Sequence, residues 1–291
     1  MQIKEQPVIW LQGAGCSGCS ISLMNSVSPT IRNLLLDEIV PGKHISLLFH
    51  PTLMAASGEL SIEVILNRNK QSNYILVLEG AIPTAENGVF ATVGEEKGKP
   101  VTLYSRFKEL AKDAVAVIGV GSCAAFGGIP AAKPNPTGSK SVMKVLEEEN
   151  IKAPCINIPG CPPHPDWFVS TVAYIMLNGL PSSKELDDLK RPKFIYSQLI
   201  HENCPRRPFF DEGKFARNFG EEGCLYELGC KGPFTYADCP TRHWNGGVNW
   251  VIGAGSPCLG CVEPTFPDIS GPFYQKISNW ENFKVQVEKE K

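Results

Sequence analysis

The chain has 291 residues, 43 % of them hydrophobic, enough to bury a sizeable core in one large domain or two smaller ones. Its 28 Lys and Arg balance 30 Asp and Glu to a net charge of −2, and the signs are interspersed, so nothing argues for nucleic acid or an anionic membrane as a partner. The eleven cysteines are an odd number in a chain too large to need a disulfide framework, and they favour metal sites.

The N-terminus, Met1 to Pro7, has neither an apolar signal core nor a twin arginine, and the longest apolar run, Val169–Leu177, is about half of what a membrane helix needs. As written, the sequence predicts a cytoplasmic protein without a membrane span, or a periplasmic one if a signal has been removed. Pro7–Gln12 reads as a short buried strand, broken at Gly13-Ala14-Gly15. Ser28-Pro29 then opens a helix, with Ser as N-cap, Pro at the first helical position, and Ile31, Leu34, Leu35 and Ile39 on one face. Ile45–Phe49 is a second strand, Gly58–Asn69 a helix, Tyr74–Leu78 a third strand and Ala114–Gly119 a fourth. Ser141–Glu149 is helical, Cys155–Ile158 is a fifth strand, and Asp166–Asn178 is a helix stopped by Gly179 and Pro181. This alternation predicts an α/β domain with a parallel sheet.

In such folds the working loops lie at the carboxyl ends of the strands. Three of those loops carry cysteine: Cys16 and Cys19 after the first strand, Cys123 after the fourth and Cys161 after the fifth. Gly and Pro surround each of them, which lets backbone approach a bulky group and offers amide donors to sulfur. Thiolates suit iron–sulfur clusters or zinc, and a lone CxxC is also compatible with a thioredoxin-like pair. From residue 201 to 274 the chain is rich in Gly, Pro, Cys and aromatics and poor in periodicity, so metal ligation is expected to hold it together. Its two further sets are His201 with Cys204, Cys224 and Cys230, and Cys239 with Cys258 and Cys261. By spacing alone these could hold zinc or an iron–sulfur cluster.

The ordered segments Val8–Gly13 with Cys16 and Cys19, Glu79-Gly80-Ala81-Ile82-Pro83, Gly121-Ser122-Cys123, Pro159-Gly160-Cys161-Pro162-Pro163, His201–Pro205 and Glu227–Pro233 resemble the small subunit of nickel–iron hydrogenases. Pro233–Asp238, Trp244-Asn245 and Val262–Asp268 look closest to the nickel–iron–selenium branch. The resemblance implies a flavodoxin-like domain over residues 1–185, followed by an irregular iron–sulfur cluster-binding domain over 186–291. It implies a proximal [4Fe–4S] cluster on Cys16, Cys19, Cys123 and Cys161, and a distal [4Fe–4S] cluster on His201, Cys204, Cys224 and Cys230. A medial [3Fe–4S] cluster would sit on Cys239, Cys258 and Cys261, because Val251 stands where some relatives have a fourth cysteine. Gly18 and Gly128 match positions that are cysteine in oxygen-tolerant relatives, so that form of oxygen tolerance is not expected. Glu79 would support the proximal site from behind, or act as a helix- or turn-capping carboxylate. Cys155 is left over as a buried strand-end thiol.

The implied function is electron transfer between the nickel–iron centre of a large subunit and an external carrier, a cytochrome or a ferredoxin-like protein. The loop Pro130–Gly138 and His50-Pro51 are candidates for the large-subunit interface. A hydrogen-sensing subunit, a free-standing electron carrier and a zinc-bound scaffold are the rival readings. The size of the α/β domain argues against the carrier.

Overall fold

The computed structural model describes residues 4–37, 42–68 and 73–289. The chain divides into two compact units, Met1–Lys184 and Glu185–Lys291. In the first, five strands form a parallel sheet: β1 (Lys4–Gln12), β2 (Lys43–Phe49), β3 (Ile75–Glu79), β4 (Ala116–Val120) and β5 (Cys155–Ile158). Their spatial order is 2-1-3-4-5, the flavodoxin-like arrangement. β3 and β4 are buried on both faces, which is why they read as unbroken apolar runs.

The pleat sends alternate side chains to opposite faces. Ile9, Leu11, Leu76, Leu78 and Val117 pack with α3 (Glu59–Arg68), α4 (Leu103–Asp113) and α7 (Val142–Glu148) through Ile65, Phe107, Leu110 and Val145. Val8, Trp10, Val77 and Ile118 line the other face with α1 (Gly18–Met24), α2 (Ile31–Leu36) and α8 (Pro165–Asn178), through Leu23, Leu34, Phe168 and Val172. Two short helices, α5 (Ser122–Phe126) and α6 (Gly128–Ala131), follow β4.

Two expectations change here. The cap of α2 is Thr30, not Ser28: its hydroxyl accepts from the Asn33 N–H while the Asn33 side chain returns a bond to the Thr30 N–H, a reciprocal box that Ser28 cannot make from two residues further out. Ile39 and Asn69 lie outside the described residues. The helix α4 has no counterpart in the sequence reading, although Thr102 caps it and Leu103, Phe107, Leu110 and Ala111 bury one stripe.

The second unit has little regular structure. Between Glu185 and Asn279 the longest described helix is Arg207–Asp211, of five residues, and a ten-residue helix, Trp280–Lys289, closes the chain. Isolated bridges tie the segments instead, Leu199 to Tyr236 and Phe215 to Cys224.

Candidate metal centres

The register of the sheet explains how distant cysteines meet. Gln12 stands beside Glu79, Glu79 beside Val120, and Val120 beside Ile158, so β1, β3, β4 and β5 end in one row. The loops that leave this row are joined to one another. Ala14 and Ala81 exchange backbone bonds of 2.8 Å, and Ser122 donates from its N–H to Gly160 O at 2.9 Å while its hydroxyl accepts from the Gly160 N–H at 2.9 Å. The row thus brings Cys16, Cys19, Cys123 and Cys161 together. Burial pushes the Cys19 thiol far up, and Glu79, Cys123, Cys16 and Cys161 all add to the shift. Cys123 is pushed up to about 11, by burial first and then by Cys161, against a backbone donor from Ile129. Cys161 is raised by burial and by Cys16. Thiols raised this way become thiolates together only beside a compensating metal charge.

Glycine is required at two places in this pocket. A Cβ on Gly121, at φ +86°, would lie 2.5 Å from Cys19 Sγ, and one on Gly128, at φ +51°, would lie 2.9 Å from the Cys123 backbone. Gly18 is less confined: a Cβ there would lie 3.1 Å from Cys16 Sγ.

Glu79 is 2 % exposed and fully engaged. Its Oε1 accepts from the backbone N–H of Cys19 at 3.0 Å and Ser20 at 3.1 Å, capping α1, whose N-cap residue Ser17 makes no side-chain bond. Its Oε2 accepts from Trp10 Nε1 at 3.1 Å, Gln12 Nε2 at 3.0 Å and the Ser20 hydroxyl. The same carboxylate therefore caps the helix and fixes the backbone that carries Cys19. Ser20 also meets His50 Nε2 at 3.1 Å, and His50 Nδ1 accepts from the Thr52 N–H at 3.3 Å, which makes the ring neutral with its proton on Nε2. Burial lowers the His50 pKa to about 4 against a smaller opposing pull from Glu79. His50 is 1 % exposed and so is not an interface side chain, contrary to the expectation; Pro51 and, in the Pro130–Gly138 loop, Lys133, Pro134 and Pro136 are exposed.

In the second unit Cys204, Cys224 and Cys230 form one interacting set: the Cys230 thiol is pushed up to about 11, by burial first, with Cys204 and Cys224 adding to it. The ring of His201 packs edge-on against Phe210 at 4.7 Å, within an aromatic cluster of Phe210, Phe215 and Tyr226 that flanks Cys224. Burial, and then Arg207, lower the pKa of His201, which keeps its imidazole neutral and able to ligate. Cys239, Cys258 and Cys261 form the other set. Burial and then Cys261 raise Cys239 to about 12, while Cys258 is raised well above the usual range by burial, with Cys230, Cys261 and Cys239 adding. The two sets adjoin at Cys230 and Cys258, where the Lys231 N–H donates to Cys258 O at 2.8 Å. Val251 is exposed.

A repeated local geometry aims amides at sulfur. The N–H two residues on donates to the thiol of Cys204, Cys224, Cys230 and Cys258, from Arg206, Tyr226, Gly232 and Gly260. The Trp244 side chain also bonds Cys239. Such donors favour thiolate and tune cluster potentials. Among the described residues no three His, Cys, Asp or Glu side chains converge as ligands of one metal ion would. Four thiols, three thiols with a neutral imidazole, and three thiols, each set ringed by donors to sulfur or by glycine, fit the donor chemistry of clusters. Sequence reasoning missed the partners of Glu79, the Trp244 donor and the amide pattern. Gly232 and Gly260, each two residues after a cysteine, were the visible signal for the last. Cys155 is partly buried at the start of β5, packs against the sheet core and lies 3.9 Å from Asn157 Oδ1, so it is less enclosed than expected.

Comparison with known proteins agrees with this geometry. Residues 196–274 match the family of C-terminal domains of the NiFe/NiFeSe hydrogenase small subunit, and residues 16–175 match the NADH ubiquinone oxidoreductase 20 Kd subunit family. The periplasmic [NiFeSe] hydrogenase small subunit of Desulfomicrobium baculatum is 47 % identical over 282 residues, covering 93 % of this chain and 87 % of that one. The hydrogenase-2 small chain of Escherichia coli K12 is 44 % identical over 269 residues, covering 89 % and 68 %. The solved [NiFeSe] hydrogenase of D. baculatum superimposes with a TM-score of 0.87 at 46 % identity, over 94 % of this chain and all of that one. The oxidised enzyme of Desulfovibrio vulgaris Hildenborough gives 0.87 at 46 %, over 94 % and 98 %.

The chain belongs to the NiFe/NiFeSe hydrogenase small-subunit family, the iron–sulfur, electron-transferring partner of a large subunit within a hydrogenase. No helix among the described residues is long and apolar enough to cross a membrane.

Proposed function

We propose that this chain relays electrons between a hydrogen-activating large subunit and an external carrier through three clusters: proximal [4Fe–4S], medial [3Fe–4S] and distal [4Fe–4S]. Cys16, Cys19, Cys123 and Cys161 would hold the first, Cys239, Cys258 and Cys261 the second, and His201, Cys204, Cys224 and Cys230 the third. The observation that carries the reading is the convergence of the first four thiols at one row of strand ends, with Glu79 bonded to the Cys19 backbone.

A bound cluster supplies a centre that takes up or releases one electron. The chain's own residues hold such groups still and set their charge environment. Glu79 fixes the Cys19 turn, and Gly121 and Gly128 keep side chains away from Cys19 and Cys123. Lys231 links the distal and medial sets through its backbone. His201, a neutral ligand in place of a thiolate, makes its site less negative and is suited to passing electrons to a cytochrome or ferredoxin-like carrier.

The test is His201→Ala in the heterodimer. H2/D2 exchange should persist while reduction of an external dye slows markedly, because hydrogen activation belongs to the partner. Equal loss of both activities would contradict the division of labour.

A further inference from the structure

We propose that Arg191 and Glu263 form a buried brace that positions the three-thiol site and, through their opposite charges, sets the reduction potential of the group held there. The inference rests on the medial-cluster reading above.

Both side chains are almost fully withdrawn from water, Arg191 at 3 % and Glu263 at 2 % exposure. Burying an ion pair is costly, so its place in the fold calls for an explanation. The bonding supplies one. Arg191 Nη1 donates to Glu263 Oε1 and to Val262 O, both at 3.1 Å, and Val262 directly follows Cys261. Glu263 Oε1 also accepts from the Tyr236 N–H at 2.7 Å, three residues before Cys239. One carboxylate oxygen thus ties the Cys261 segment to the Cys239 segment.

Arg191 is itself anchored. Its Nε donates to Asp187 Oδ2 at 2.7 Å, and Asp187 Oδ1 accepts from the backbone N–H groups of Leu189 and Arg191 at 3.0 and 2.8 Å. The guanidinium then lies over the ring of Tyr196, 5.3 Å from its centre. Tyr196 is buried, and the charges that act on it include Cys239 and Cys261. Tyr196 thus lies against the cation and within reach of the charges of both thiols, in a buried setting where charges are poorly screened. Asp238, which Arg242 holds at 2.6 Å, faces the same ring.

A nearby cation favours the reduced, more negative state of a cluster, and a carboxylate disfavours it. Neutralising each charge should therefore move the potential in opposite directions, and Glu263→Gln does so without changing the side chain's shape. In the anaerobically purified heterodimer, the oxidised three-iron EPR signal is titrated against potential. Arg191→Gln should shift the midpoint negative and Glu263→Gln positive. Each shift should be about tenfold in the oxidised-to-reduced ratio, or about 59 mV for one electron. Arg191→Lys, which keeps the charge, should stay much closer to wild type.

If Arg191→Gln fails to fold, Glu263→Gln decides the matter, since it keeps the shape of the brace. Unchanged midpoints, shifts in one common direction, or loss of the signal in both variants would overturn the tuning role. Absence of the three-iron signal from the wild-type complex would instead overturn the medial-cluster reading itself.

Discussion

In the α/β unit the thiols sit at the rim of a structure that has its own reasons to fold. Behind Cys16, Cys123 and Cys161 stands a sheet-and-helix core in which Ile9, Leu76, Leu78 and Phe107 are all at 0 % exposure. In the C-terminal unit the relation is reversed. Cys224, Cys230 and Cys258 are themselves buried, and no described helix between Glu185 and Asn279 exceeds the five residues of Arg207–Asp211. One unit positions its thiols with a core; the other uses its thiols, and whatever binds them, as part of the core. The contrast teaches that the same ligand chemistry can be a passenger on one scaffold and a structural member of another.

The sharpest way to break that comparison is to remove the metal. Anaerobic chelation should collapse amide protection over residues 185–279 by about 100-fold or more while β1, β3 and β4 retain theirs, because metal binding is folding free energy only in the second unit. Hydrogen-exchange mass spectrometry reads both regions at once. Equal loss in the two would mean that the α/β unit also depends on its site.

Within the α/β unit, the largest local effect should come from Glu79→Ala. It strands the buried donors of Ser20 and Trp10 and the partly buried ones of Cys19 and Gln12 at a cost on the order of 3–5 kcal/mol, visible as a lowered unfolding midpoint and as fraying of Gly18–Met24. Glu79→Gln keeps the shape and should cost less. A smaller effect is expected from pH. The folded His50 pKa lies near 4, below its ordinary 6.5, so the unfolded chain binds more protons between these values. Stability must then rise with pH across that window, and up to about 3 kcal/mol is lost as pH falls from 6.5 to 4. Denaturation at pH 5 and pH 7 measures the slope, and His50→Gln should flatten it. Smallest is Gly128→Ala, about 1–2 kcal/mol from a left-handed backbone and crowding of Cys123. An accompanying change confined to the EPR of the cluster proposed on Cys16, Cys19, Cys123 and Cys161 would place the effect where the geometry does.

The sheet was legible because each strand is a short apolar run, and the parallel order followed from the helices between them. Helix α1 was not legible: its sequence GCSISLM has no cap of its own, and the residue that caps it, Glu79, lies 59 residues beyond Ser20. The helix α4 was legible through Thr102 and the stripe Leu103, Phe107, Leu110, and was overlooked because the hairpin strands Thr92–Glu96 and Lys99–Thr102 before it break the regular alternation. That the loops bearing Cys16, Cys19, Cys123 and Cys161 leave one row of strand ends could be read from their positions after the strands. The buried role of His50 and the Arg191–Glu263 brace could not, because both depend on partners brought in by tertiary folding.

The most direct test of the central claim is the iron inventory of the anaerobically purified complex, with EPR on the same sample. Three thiol sets filled as proposed require about eleven irons in this chain, four, three and four, and an oxidised [3Fe–4S] signal. Zinc in place of iron, or iron sufficient for only one cluster, would contradict the account.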